Sequence, residues 1–243
     1  MAQRILVLSG KGGVGKSTVC ACLADALAKN SKKVLVIDAD IGFRSLDLIM
    51  RVGAKVVYNW LDVVNCSCEA ADAIVKKENG VALLSAPAEY SDVITDESFS
   101  AFLAQVDGEY DCIFIDAPAG SGELHRILAK SVDMLLLVVT PDPVCVRSAE
   151  VAVDRALAVK PELETATVIN RFNKLEVMAG RQLKLDDVID GTHTRLIGVI
   201  PESDSVRLIP SGEELTNYAA SAFERTAKRL AGESVKFRMK DFY

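Results

Sequence analysis

Lys16 and Ser17 close a glycine-rich run, Ser9-Gly10-Lys11-Gly12-Gly13-Val14-Gly15-Lys16-Ser17-Thr18, whose residue types and spacing suit a phosphate chain. Read as Gly10, four residues, then Gly15-Lys16-Ser17, the run is a complete phosphate-binding loop. Residues without a Cβ accept left-handed and close-approach geometries, so successive backbone N–H groups can turn toward one anion. The free N–H groups of a helix that starts at the loop add a favourable field for phosphate. Lys16 would reach the β- and γ-phosphates as a mobile point charge, and Ser17 would offer its hydroxyl to Mg²⁺. Lys11 places a second ammonium at the loop tip, where it either helps at the same phosphate or extends away from it.

Two further stretches end in carboxylates. In Asp38-Ala39-Asp40-Ile41-Gly42-Phe43-Arg44-Ser45 the aspartates at i and i+2 can point to one side of a strand end, toward Mg²⁺ or a water beside the γ-phosphate. Such a water needs orientation more than a strong base, so Asp40 is chemically adequate. The alternative is a polar turn in which Asp38 caps a short helix around 45–50. In Tyr110-Asp111-Cys112-Ile113-Phe114-Ile115-Asp116-Ala117-Pro118-Ala119-Gly120 a buried run delivers Asp116 to a strand tip, which is Walker B logic for a carboxylate near the metal's water shell. Pro118 and Gly120 shape a turn that can respond to a γ-phosphate; the alternative is that Asp116 caps a helix starting near Ser121 or Gly122. Asn170, in Val168-Ile169-Asn170-Arg171-Phe172-Asn173, has an amide able to donate to and accept from an adenine edge, although asparagine at a strand end is also ordinary turn chemistry.

These residues need elements to hold them. Near-continuous apolar runs at 5–8, 34–37, 81–84, 112–115, 134–139, 167–169 and 196–200 predict strands, with helical spacers between them that begin with a helix over 19–29. Strands apolar on both faces and alternating with helices predict a single α/β domain: a doubly wound, mostly parallel sheet flanked by helices, of the P-loop NTPase kind. Its ligand site lies at the carboxyl ends of the strands, and the loop, both aspartate stretches, Thr140–Pro143 and Asn170-Arg171 all fall there. Between the aspartate stretches, 59–102 predicts amphipathic helices including 70–75, with Trp60 in the core. Asp154 and Arg155 follow on the helix after Pro143, as a solvated face or a partner site.

With 243 residues, half of them apolar, the chain has an ordinary length and composition for one soluble globular domain, and 1–232 is read as that domain. No apolar run reaches the length of a bilayer span, and Met1-Ala2-Gln3-Arg4 leads directly into the first strand, so the cytoplasm is expected. A net charge of −6 disfavours nucleic acid in bulk. The six cysteines, Cys20, Cys22, Cys66, Cys68, Cys112 and Cys145, form no Cys-x-x-Cys pair, and His125 and His193 are the only histidines, so a metal or iron–sulfur centre is not expected.

The stretch Lys11-Gly12-Gly13-Val14-Gly15-Lys16-Ser17 resembles the deviant Walker A loop of the MinD/ParA group of ATPases. The blocks from Asp38 through Tyr58, Asp116 to Gly120, Asn170 to Asn173 and Leu196 to Asp204 are similar to segments of the same group, and the resemblance runs from about Gln3 to Glu214. It implies ATP and Mg²⁺ as cofactors and a homodimer formed in response to nucleotide. Lys11 would cross to the partner's nucleotide, Asp40 would serve hydrolysis beside Lys16, and Asp38 would join Ser17 and Asp116 in the magnesium and water network. Asn170 becomes the adenine contact, Arg171 a stacking neighbour and Pro201 a border to the base. Spatial positioning, of the bacterial division site in the MinD branch, is the implied function, with a protein activator and a division-inhibitor type of partner. The alternatives are a ParA-like DNA-partition or cargo-positioning ATPase, including regulators of flagellar number, and a nucleotide-gated binding module with negligible turnover.

The resemblance fades at the C-terminus. Ser234-Val235-Lys236-Phe237-Arg238-Met239-Lys240-Asp241-Phe242-Tyr243 is a basic, aromatic tail, read as 233–243. A helix would align Val235, Met239 and Phe242, and a strand would align Val235, Phe237 and Met239. The tail is expected either to fold on the inner face of the cell membrane, or else to pack on the domain or simply fray.

Overall fold

The computed structural model describes residues 1–120 and 122–237. The chain runs β1 (Gln3–Leu8), α1 (Lys16–Lys29), β2 (Val34–Asp38), α2 (Ser45–Ile49), α3 (Trp60–Val64), α4 (Ala70–Ala73), β3 (Val75–Lys76), β4 (Ala82–Leu84) and α5 (Asp96–Val106). It continues through β5 (Cys112–Asp116), α6 (Glu123–Lys130), β6 (Met134–Val139), α7 (Pro143–Val159), β7 (Glu164–Phe172), α8 (Lys174–Met178), α9 (Leu185–Thr192), β8 (Arg195–Pro201), α10 (Asp204–Arg207) and α11 (Asn217–Leu230). One sheet of eight strands holds them in the order β3-β4-β2-β5-β1-β6-β7-β8. Every pairing is parallel except β3 with β4.

The apolar runs form the strands because helices cover both faces. All of β2, β5 and β6 is buried, and α11 packs on α1 and β8. The order puts β1 between β5 and β6, and the chain leaves β1 toward one side of the sheet and returns to build the other. The topological reversal therefore falls at β1, whose carboxyl end carries the glycine loop. Register completes the placement: Asp116 lies opposite both Val7 and Asp38, so both aspartate strands end beside the loop.

Three expectations change. The helix over 70–75 is only Ala70–Ala73, and Val75 begins a short antiparallel strand. Ile74 and Val75 favour extended backbone, and the Asn79-Gly80 turn, with Gly80 at φ 87°, folds the chain back onto β4. The strand expected over 167–169 runs the full length of β7, with a register shift between Ile169 and Phe172, so Asn170 sits inside a strand irregularity. The helix after Asp116 begins at Glu123 behind Gly122, and Asp116 does not cap it; the Ser121 start lies outside the described residues. Trp60 is in the core as expected, fully buried, edge-on to Phe99 with ring centroids 5.8 Å apart and donating its indole N–H to the Asp38 carbonyl at 2.8 Å.

The first residues of the tail are neither helix nor strand. Arg229 donates to the carbonyls of Val235, Lys236 and Ile197, and its guanidinium lies 3.7 Å from the Phe237 ring centroid. Residues 235–237 are thereby packed on the end of α11 and on β8. The remaining tail positions, 238–243, lie outside the described residues. No helix among the described residues is long and apolar enough to cross a membrane.

Candidate functional site

The loop between β1 and α1 has the shape its glycines permit. Gly13 and Gly15 stand at φ 79° and 87°, a region that side chains rarely adopt. Gly10 is held for a different reason: a Cβ there would lie 2.2 Å from the backbone carbon and oxygen of Ser148, so the loop rests directly on α7. Gly15 ends the loop as the N-cap of α1, with no side-chain cap, which leaves the first helical N–H groups facing the loop interior. Asn170 is 2 % exposed and donates its amide to the Val14 carbonyl at 2.8 Å, supporting the loop from below. Lys11, Gly12 and Gly13 are exposed, Gly10, Gly15, Ser17 and Thr18 are half-buried, and Val14 is buried.

Lys16 is buried, and its ammonium lies 2.6 Å from Asp116 Oδ1 and 3.4 Å from Ser17 Oγ. Asp116 is fully buried, and its Oδ2 has no hydrogen-bond partner. A buried carboxylate oxygen left without a donor is costly, and a hydroxyl with carboxylates nearby is the hard oxygen set that suits Mg²⁺. The residues present therefore fit the expected ion.

Asp38, also fully buried, accepts from the Asp40 amide through Oδ1 and from the Leu46 amide through Oδ2, both at 3.0 Å. The capping alternative read from the sequence is thus realised. Burial and the neighbouring Asp116 charge push the Asp38 carboxyl up to about 7, against the pull of its two amides and Lys16. Asp40 is half-buried; burial raises its carboxyl above the usual range while Lys16 draws it back. Lys16, Ser17, Asp38, Asp40 and Asp116 thus occupy one end of the sheet.

Lys11, at the tip of the loop, is exposed. The Asp142 carboxyl, although burial acts to raise it, lies below the usual range because the Cys145 amide, the Thr140 hydroxyl and the Lys11 charge all favour its ionised form. The Lys11 charge thus acts on Asp142, which caps the start of α7. Arg171 is exposed at φ 55°, and its carbonyl accepts from Gln182 at 3.0 Å. Pro201 closes β8 opposite Phe172, so both flank the same rim.

The comparisons with known proteins decide the lineage. The ParA family model, described as NUBPL iron-transfer P-loop NTPase, matches residues 1–182. The septum site-determining protein MinD of Helicobacter pylori is 33% identical over 252 residues, covering 98% of this chain and 93% of that protein. The chain belongs to the MinD/ParA family of P-loop NTPases. Solved structures agree: a chain of the MinC:MinD cell division protein complex of Aquifex aeolicus is 34% identical with a TM-score of 0.87, covering 98% of both chains. The septum site-determining protein MinD of Pyrococcus horikoshii, complexed with Mg-ADP, is 27% identical with a TM-score of 0.81, covering 98% of this chain and 100% of that one.

Within this MinD/ParA-family chain the cysteines are free thiols. Cys20, Cys22, Cys112 and Cys145 are buried thiols, Cys66 is exposed and Cys68 half-buried. Among the described residues no three His, Cys, Asp or Glu side chains gather to hold a metal by themselves. Sequence reasoning missed two contributors to the site. The backbone of Ser148 and Ala149 on α7 forms the wall behind Gly10, a contact without a side-chain signal. His125 on α6 touches the turn after Asp116, and nothing in its sequence neighbourhood marks it.

Proposed function

We propose that the chain is a MinD-like ATPase switch: it pairs with a second copy when ATP and Mg²⁺ are bound and separates after hydrolysis. The observation that carries this reading is the buried Lys16–Asp116 pair, with one Asp116 oxygen unpartnered, at the uncapped start of α1 behind a glycine loop. Lys16 exchanges Asp116 for the β- and γ-phosphate oxygens of ATP, and the loop amides hold the phosphate chain. Ser17 and Asp116, with Asp38 behind them, would hold Mg²⁺, whose charge would offset that of the transferred phosphoryl group. Asp40 orients the attacking water. Asn170 offers its unpartnered Oδ1 to the adenine amino group, with Arg171 and Pro201 bordering the base.

Lys11, exposed at the loop tip, serves the partner's nucleotide. Differential contact with the γ-phosphate then supplies the free energy for pairing. The relatives named as septum site-determining proteins, and the relative solved in complex with MinC, support control of division-site position through a division-inhibitor type of partner; a protein activator that stimulates turnover belongs to the same proposal. The basic and aromatic composition of 238–243 supports peripheral contact with an anionic membrane surface from the cytoplasm.

Phosphate release by wild type, Lys16→Ala and Asp40→Ala tests the reading. Wild type turns over Mg-ATP, Lys16→Ala does not bind it, and Asp40→Ala binds but turns over at least about tenfold more slowly. Equal turnover in all three would overturn it.

A further inference from the structure

His125 takes no part in the chemistry described above, yet both of its ring nitrogens are engaged. Nδ1 accepts from the Gly122 amide at 3.0 Å, and Nε2 lies 3.0 Å from the Pro118 carbonyl oxygen. An amide N–H only donates and a carbonyl oxygen only accepts, so one species satisfies both bonds: the neutral imidazole protonated on Nε2. The two bonds grip the turn on either side of Gly120, two residues beyond the proline that follows Asp116-Ala117.

One backbone bond, from the Gly120 amide to the Ser9 carbonyl at 3.3 Å, ties the middle of that turn to the glycine loop. Behind the turn is a cavity of about 350 Å³ whose lining includes Gly120, Gly122, Leu6, Leu8, Ala152 and His125 itself. With a cavity on one side, that single bond leaves the flanks at Pro118 and Gly122 to be fixed by other contacts, and the His125 ring supplies one to each.

We propose that His125 is a positioning residue for nucleotide hydrolysis: its ring ties Pro118 to Gly122 and so fixes how Gly120 and Asp116 face the γ-phosphate. The proposal rests on the ATPase reading. It explains why the ring must be uncharged, because protonation of Nδ1 replaces the acceptor that the Gly122 amide needs with a second donor. The charged groups facing the ring are Asp40 from the loop after β2, Lys16 from α1, Glu123 and Arg126 from α6, and Arg155 from α7. Burial holds the imidazole below its ordinary range, with the Lys16 charge acting the same way and the Pro118 carbonyl and Asp40 acting against.

The test is steady-state phosphate release and ATP affinity for wild type, His125→Ala and His125→Gln, from about pH 5 to pH 8. The alanine variant should lose about tenfold in kcat while its ATP Kd stays within about twofold, the loss expected for two neutral hydrogen bonds. Wild type should slow on the acid side as the ring takes up its proton, and the slowing should be smaller in His125→Gln, where only the carboxyls of the site still titrate. Glutamine keeps bulk, a donor and an acceptor, so it carries the comparison if the alanine variant folds poorly. Faster amide exchange at Gly122 in nucleotide-free His125→Ala reports the clasp without turnover. Unchanged kcat with an unchanged acid limb, or a loss confined to ATP affinity, would overturn the proposal. Wild type without Lys16-dependent phosphate release would instead overturn the ATPase reading on which it stands.

Discussion

Lys16 serves two states of the protein. Without ligand it neutralises a carboxylate that has no other donor, and removing one member of such a buried pair leaves a charge stranded. Lys16→Ala is therefore expected to lose about 3 kcal/mol of stability to urea at neutral pH. Adding Asp116→Ala should restore part of that loss, because no unpaired charge then remains. A double variant less stable than Lys16→Ala would contradict this. Asp38 has the opposite character. Its carboxyl titrates at about 7 when folded, against about 3.8 as a free side chain. The folded state therefore binds more protons between those values, and the group's stabilising contribution, complete below about pH 4, is lost as pH rises through about 7. Asp38→Asn does not titrate, so its stability deficit relative to wild type should shrink between about pH 4 and pH 7. Thermal unfolding across that range checks it, and a widening deficit would contradict it. Lys16, Ser17 and Asp116 were legible because the motif is local and each residue type has few alternative uses in that context. The double hydrogen bond of Asp38 was legible only as one of two alternatives. The Asn170–Val14 and His125–Pro118 contacts depend on backbone shape that no local pattern reports.

At the level of elements, the loop is shaped by α7 as much as by its own glycines. A methyl group on Gly10 would meet the Ser148 backbone at 2.2 Å, and backbone cannot swing aside as a flexible side chain does. Gly10→Ala is expected to cost about 1–3 kcal/mol in thermal stability, the range for overpacking. It should also weaken ATP binding, since relief requires the loop or α7 to move. An alanine variant with wild-type melting and affinity would show that the loop does not rest on the helix. Strands β1, β2, β5 and β6 were readable because they are buried on both faces and their composition is continuous. The pair β3–β4 was only half readable: β4 is three buried residues, whereas β3 is two residues at an edge, where a tight turn decides the pairing. The irregularity at Asn170 was invisible because a bulge is set by the register of a neighbouring strand.

The whole molecule adds what neither residues nor elements contain. The parallel, doubly wound class followed from alternation, but the order β3-β4-β2-β5-β1-β6-β7-β8 did not, since each crossover chooses its side through long-range packing. That order is what gathers Asp38, Asp116 and the loop at one end of the sheet, with Lys11 exposed at the loop tip. An exposed cation there has a use if a second molecule brings a phosphate to it, so the switch reading is a claim about two chains. The most direct measurement is the molar mass of the Asp40→Ala protein by light scattering in Mg-ATP and in Mg-ADP. The mass of two chains in Mg-ATP and of one in Mg-ADP is predicted, with one-chain mass in both once Lys11→Ala is added. The same mass in both nucleotides, or pairing indifferent to Lys11, would contradict the account.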